Sequence, residues 1–267
     1  MNKVNFSLLE KQLKEKYETR NDPWGFSPEK AITDLKLLYP LYRYYFNVKL
    51  HGVENFDHSK NYMVISNHTG QIPIDALLIC TAFFLELNPP IVLRPLVERF
   101  LSGLPFLGKW SSEGGAVLGD RQNCLNLLKR EESLLVFPEG VRGIAKSSKN
   151  HYELQPFTKG FIRMALQTKT PILPIAVIGA EEFYPFVFHS KKLANFLRVP
   201  AIPLSLNLLP LPSPVDIYIG SPYQLPLELS PDSPDEEIEK HILNISDEVN
   251  SMIEQGLKNK RSFLKRN

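Results

Sequence analysis

A histidine lying seven residues ahead of an aspartate is the first arrangement in this chain able to move a proton. The stretch reads Asn67-His68-Thr69-Gly70-Gln71-Ile72-Pro73-Ile74-Asp75, directly after an apolar, strand-like run over 62–66. His68 is thereby expected at the carboxyl end of a strand, where open α/β sheets place their sites. A helix is expected to start at Pro73 or Ile74, with Asp75 in its first turn, where the helix dipole favours a carboxylate. An imidazole oriented by that carboxylate is a general base for a hydroxyl proton. Taken alone, a solvated turn histidine and a helix-terminal aspartate explain these residues equally well.

Two further stretches follow the same plan. Val136-Phe137-Pro138-Glu139-Gly140-Val141-Arg142-Gly143 follows the apolar run 133–137 and sets a carboxylate, two glycines and an arginine at a second strand end. Glycine lets backbone amides approach an anion, and Arg142 offers a forked donor for phosphate or carboxylate. Gly115-Ala116-Val117-Leu118-Gly119-Asp120-Arg121 is a strand leading to an arginine that opens a helix. Arg94, Lys159 and Arg163 are further cations for such an anion site, although a solvated face suits each separately.

The elements that must position these residues alternate. Strands are predicted over 48–53, 62–66, 91–94, 115–119, 133–137, 172–178 and 215–220, and helices over 74–87, 121–130 and 157–168. That alternation argues for an α/β sheet with helices on its faces. Before it, residues 1–46 read as helical. Phe6, Leu9 and Leu13 share one face, Ser27 caps a second helix with Pro28 as its first residue, and Pro40 interrupts that helix. A closing amphipathic helix over 236–258 carries Ile238, Ile242, Ile245, Val249 and Ile253 on one stripe.

Composition narrows the function. Thirty-one basic against 29 acidic residues give a net charge of +2, which offers nucleic acid no strong field. Two cysteines, Cys80 and Cys124, make no disulfide framework, and without a Cys-x-x-Cys pair or paired histidines no metal-ligand set is expected. Gly103-Leu104-Pro105-Phe106-Leu107-Gly108-Lys109 falls short of a nucleotide-phosphate loop, because Trp110 replaces the metal-binding hydroxyl and Pro105 interrupts it. The first seventeen residues are charged throughout, unlike a signal peptide, and no apolar run is long enough to span a bilayer.

The three stretches, in this order and followed by the proline-centred apolar strand Pro171-Ile172-Leu173-Pro174-Ile175-Ala176-Val177, resemble the glycerolipid or lysophospholipid acyltransferases related to 1-acylglycerol-3-phosphate acyltransferase. The likeness covers roughly residues 48–180. It departs from the family pattern in placing six residues between His68 and Asp75 where four are usual, and Val141 where threonine is usual. The resemblance implies a mixed, largely parallel central sheet flanked by helices, with an N-terminal helical membrane-associating segment over 1–47 and a catalytic domain over 48–267. It implies an O-acyltransferase with His68 and Asp75 catalytic and Arg121, Glu139, Gly140 and Arg142 holding the acceptor. No cofactor is implied; acyl-CoA or acyl-carrier protein serves as co-substrate for phospholipid biosynthesis.

Membrane lipids are the expected partners, at the cytoplasmic face and from a peripheral position. Tyr39, Tyr42, Tyr44, Tyr45 and Phe46 suit an interfacial zone, and the proline-rich apolar stretch 193–214 suits a second contact or an acyl-groove wall. The last fourteen residues carry Lys258, Lys260, Arg261, Lys265 and Arg266 against Glu254 alone, an excess suited to anionic headgroups. Two other readings remain open at this point: a thioesterase using the same pair on water, and a catalytically silent lipid-binding protein.

Overall fold

A computed structural model describes residues 4–17, 22–69, 73–144, 146, 148–185, 187–189, 203–205, 207 and 209–262. Helices α1 (Phe6–Tyr17) and α2 (Pro28–Pro40) open the chain. Ser27 Oγ accepts the Lys30 amide as the expected cap, with Pro28 first in the helix. Pro40 has no N–H to continue the ladder, and the chain passes into a π-helical turn, Leu41–Tyr45, closed by Phe46 N–H onto the Leu41 carbonyl. The described face of α1 and α2 buries Leu13, Tyr17, Ile32 and Leu35 with Phe84 and Val92 of the body.

Seven strands form one sheet in the order β1-β9-β6-β2-β5-β3-β4. They are β1 (Lys49–His51), β2 (Met63–Ser66), β3 (Leu93–Val97), β4 (Val117–Leu118), β5 (Ser133–Val136), β6 (Ile172–Ile178) and β9 (Asp216–Ile219). The run from β6 to β4 is parallel throughout; β9 lies antiparallel to β6, and β1 pairs parallel to β9. The sheet is therefore mixed and mostly parallel. Its central strands bury both faces, which is why β2 and β6 read as unbroken apolar runs. A separate hairpin pairs β7 (Val187–His189) with β8 (Pro203–Ser205). Most of the stretch 193–214, read from sequence as a groove wall, lies outside the described residues.

Helix α3 (Ile74–Glu86) packs on one face of the sheet, burying Leu78, Ile79, Ala82 and Phe83. On the other face lie α6 (Arg121–Lys129), α8 (Gly160–Thr168) and the closing helix Asp235–Lys258, whose isoleucine stripe is buried as its spacing predicts. Two short helices bracket the stretch that failed as a phosphate loop: α4 (Arg99–Ser102) ends just before it and α5 (Leu107–Glu113) begins within it. A third, α7 (Val141–Ile144), follows the Pro-Glu-Gly turn.

The cations offered for an anion site are placed elsewhere. Arg94 is fully buried, and its Nη1 donates to Asp22 Oδ2 at 2.6 Å. Lys159 and Arg163 pair with Asp235 on the closing helix. The basic end is likewise partly spent: Lys260 pairs with Glu182, and Arg261 Nε donates to Asp216 Oδ2 at 2.8 Å. Residues 263–267 lie outside the described part.

Candidate active site

The register of the sheet brings the two chemical stretches together. On neighbouring parallel strands Ile65 pairs with Val136, and three residues beyond each stand His68 and Glu139. Asn67 ties the first strand end to β6, with Nδ2 donating to the Val177 carbonyl at 3.0 Å and Oδ1 accepting the Val177 amide at 2.8 Å. The residue before the base is thus a splint across the sheet.

The longer interval between His68 and Asp75 does not part them. His68 Nδ1 lies 2.6 Å from Asp75 Oδ2, with the aspartate wholly buried in the first turn of α3. Oδ2 also accepts the Thr69 amide at 2.8 Å and the Thr69 hydroxyl at 3.2 Å, while Oδ1 accepts the Ala76 amide at 2.7 Å. An ionised carboxylate so surrounded acts as an acceptor, so Nδ1 carries the proton and Nε2 keeps its lone pair. Among the described residues Nε2 has no hydrogen-bond partner. The ring stacks on Phe137, centroids 4.1 Å apart, which fixes its plane.

Glu139 and Gly140, expected at the acceptor, are held at the second strand end by contacts and turn geometry within the chain. The Glu139 carboxylate is buried and binds this chain's own groups: the His68 amide at 2.7 Å, the Gln155 amide at 2.8 Å and Lys146 Nζ at 2.9 Å. Gly140 sits at φ +59°, a left-handed turn that lets the chain reverse into α7, and its Cα faces open space. Arg142 is exposed on α7 and donates to the Pro156 carbonyl at 2.7 Å. Arg121, exposed at the start of α6, donates to Gln167 Oε1 at 3.0 Å.

Sequence reasoning gave no role to Thr69 or Lys146 and read Gly143 only as a glycine admitting an anion. A Cβ on Gly143 would lie 2.8 Å from His68 Cβ and 3.0 Å from Glu139 Cβ, so only glycine lets α7 sit against the base. The second glycine of the Gly-x-x-Gly stretch was the available signal. Lys146 had none, being one lysine in a polar loop.

His68 opens on a cavity of about 660 Å³, within the usual span of small-ligand pockets, roughly 300–1,000 Å³. Its walls are mainly apolar and come from α2, α3, β3, α4 and α5, with Leu35, Leu77, Phe84, Leu93, Leu101 and Trp110 among them and Asp34 and Glu98 as the carboxylates on the lining. A base with a free lone pair beside a mainly apolar lining can deprotonate a hydroxyl next to a bound aliphatic group.

Comparison with known proteins supplies the family. An acyltransferase family model matches residues 47–178, the part that contains both strand-end motifs. Over 249 residues the chain is 32% identical to an uncharacterized protein of Mycobacterium tuberculosis (strain ATCC 25618 / H37Rv), covering 88% of this chain and 68% of that one. The chain belongs to the glycerolipid acyltransferase family. It is an acyltransferase enzyme by that membership. It is also 28% identical over 165 residues to human 1-acyl-sn-glycerol-3-phosphate acyltransferase alpha, spanning 57% of this chain and 53% of the human protein. The crystal structure of the 1-acyl-sn-glycerophosphate (LPA) acyltransferase PlsC from Thermotoga maritima superposes with a TM-score of 0.55, covering 96% of this chain and 98% of that one. At 18% identity that likeness speaks for the fold alone.

Proposed function

We propose that this acyltransferase moves a fatty acyl group from an acyl thioester to a hydroxyl of a lysophospholipid such as 1-acylglycerol-3-phosphate, in phospholipid biosynthesis. The observation that carries the reading is the free Nε2 of an aspartate-oriented histidine opening on an apolar cavity. Nε2 takes the acceptor's hydroxyl proton as its oxygen attacks the thioester carbonyl carbon. The tetrahedral centre collapses with cleavage of the C–S bond, and the imidazolium returns the proton to the leaving thiolate. Asp75 holds the ring and stabilises its cationic form. The acyl chain occupies the cavity, and Arg142, on the helix whose Val141 and Ile144 line that cavity, meets the acceptor's phosphate, with Arg121 as the second cation. Acyl-CoA or acyl-carrier protein is the donor.

Product analysis tests this. Incubated with acyl-CoA, the enzyme is expected to release CoA in step with acylated phospholipid, and only when lysophospholipid is present. CoA release indifferent to the acceptor would make it a thioesterase instead.

Both substrates are lipids, and a peripheral site on the cytoplasmic membrane face is part of the same reading. Among the described residues no helix is long and apolar enough to cross a membrane. The turn between α4 and α5 instead exposes Phe100, Leu104, Leu107 and Trp110 around Phe106, which is 92% exposed. Phe106 holds a left-handed φ of +63°, a conformation costly for a side chain, about 1–3 kcal/mol. Phe100, Leu107 and Trp110 also line the cavity, so the patch borders its mouth. Burying one phenylalanine contributes about 1.5–3 kcal/mol, so Phe106→Asp is expected to weaken binding to anionic phospholipid vesicles roughly tenfold or more. Vesicle co-sedimentation measures this, and rates on detergent-dispersed substrates should stay near wild type. Undiminished sedimentation would remove this turn from the membrane contact.

A further inference from the structure

The side chain of Lys146 is 2% exposed and ends between the Glu139 carboxylate and the main-chain carbonyl of the base. Its ammonium lies 2.9 Å from Glu139 Oε2 and donates to the His68 carbonyl at 3.0 Å. Glu139 completes the arrangement, because its Oε1 accepts the His68 amide at 2.7 Å. Both main-chain polar groups of His68 therefore end on a single buried ion pair. The second Glu139 oxygen accepts the Gln155 amide as well, which ties the pair to the following loop. Glu181 stands 4.0 Å behind Lys146, its carboxyl pushed by burial up to about 7, and His151 is 4.0 Å from Glu181.

We propose that Lys146 is a positioning residue of the proton-transfer site, acting through Glu139 to fix the main chain of His68 and hence the aim of Nε2. The proposal rests on the acyl-transfer reading above. Two buried charges are a costly way to obtain stability alone, since apolar residues of similar volume often serve as well. Two hydrogen bonds of this pair go to the residue whose placement governs the rate. A reacting group displaced by about 1 Å can lose about a hundredfold in rate.

The pair also sets the charge around the base. The titratable groups around His68 are Asp75 from α3 and Glu139 after β5, with Lys146 between Glu139 and the more distant Glu181, and Asp34 of α2 and Glu98 before α4 on the lining of the cavity it opens on. Removing the ammonium leaves the Glu139 carboxylate uncompensated and favours the imidazolium. The His68 imidazole should then hold its proton more tightly in that variant than in the wild type.

Lys146→Met, Glu139→Gln and the double variant test the proposal in the full chain. The double variant removes both charges at similar volume and is expected to fold even where a single one does not. Each single variant should lower kcat by about thirtyfold or more, with KM for donor and acceptor changed by less than about threefold. The double variant should be no worse than the worse single one, because the two residues act along one path. NMR titration of the His68 imidazole should show the raised midpoint in Lys146→Met and its return toward wild type in the double variant. An unmoved midpoint in Lys146→Met, or losses that add in the double variant, overturns the proposal and leaves Lys146 a structural residue. If the wild-type enzyme transfers no acyl group to any lysophospholipid, the proposed function fails, while the imidazole titration still decides the role of Lys146.

Discussion

Replacing His68 by alanine is expected to lower kcat for acyl transfer by about 100- to 10,000-fold, the usual worth of a positioned general base. The fold should survive. Asp75 loses one of its donors but keeps the Thr69 amide, the Thr69 hydroxyl and the Ala76 amide, so no buried carboxylate is left unsatisfied. The contact with Phe137 is lost at a cost of about 1–3 kcal/mol, typical of a buried truncation. Nε2 contributes to the moving proton rather than to ground-state binding of the chain, so KM should change little. Initial rates at saturating donor and acceptor, together with a thermal melt, separate chemistry from stability. A folded His68→Ala enzyme with wild-type rates would remove the histidine from the mechanism.

Much of the architecture is legible because parallel strands buried on both faces advertise themselves as apolar runs. All seven sheet strands overlap the strands predicted, with β1 the one that is neither apolar nor buried, although β3 extends to Val97 and begins two residues later than expected. The closing helix is equally plain, since a long amphipathic stripe has one physical explanation. Short elements are hidden for the opposite reason. Helices α4, α5 and α7 are four to seven residues long, too short for a period to show.

The site divides along the same line. His68 and Asp75 could be paired on paper, because a strand end and a helix start bracket them. Their 2.6 Å contact depends on Thr69 folding back onto the carboxylate, which spacing alone does not specify. Glu139 was visible as a carboxylate at a strand end, but its inward direction follows from Lys146 and Gln155, and those partners lie in a loop without pattern. Tyr42 shows the same limit: an aromatic segment suited to an interface proves to bury this ring, while Tyr44 remains exposed.

The second large effect concerns an ion pair that joins residues 72 positions apart, Asp22 and Arg94. Asp22→Ala is expected to destabilise the protein by about 3–5 kcal/mol, the cost of leaving a buried charge without its partner. Arg94 emerges from β3 fully buried, with Nε donating to the Gly115 carbonyl and its guanidinium 5.4 Å from the Phe26 ring and 5.8 Å from the Trp24 ring. Nothing else described offers that guanidinium a counter-charge. Asp22 Oδ1 also accepts the Trp24 amide at 2.9 Å, so the substitution loosens the turn leading into α2. Urea denaturation at neutral pH measures the loss as a lowered midpoint at unchanged slope.

The pH dependence has a definite sign. Burial pushes the Asp22 carboxyl up, but the hydrogen bond and charge of Arg94, with the Trp24 and Phe26 amides, outweigh it and hold the group below its ordinary value. A depressed folded value means the stabilisation is complete above the unfolded value near pH 4 and fades as pH falls through the folded one. The gap between wild type and Asp22→Ala should therefore be widest near neutrality and narrow in acid. Replacing both partners, as Asp22→Ala with Arg94→Met, should restore part of the loss, since no unpaired charge then remains. Equal midpoints for wild type and Asp22→Ala at pH 7 would mean that the pair contributes nothing. The consequence reaches the site, because Ala31, Leu35 and Leu38 of α2 form one wall of the cavity beside His68. Under the proposed function, a chain that loses this pin should bind its acyl substrate more weakly well below the temperature at which the sheet unfolds.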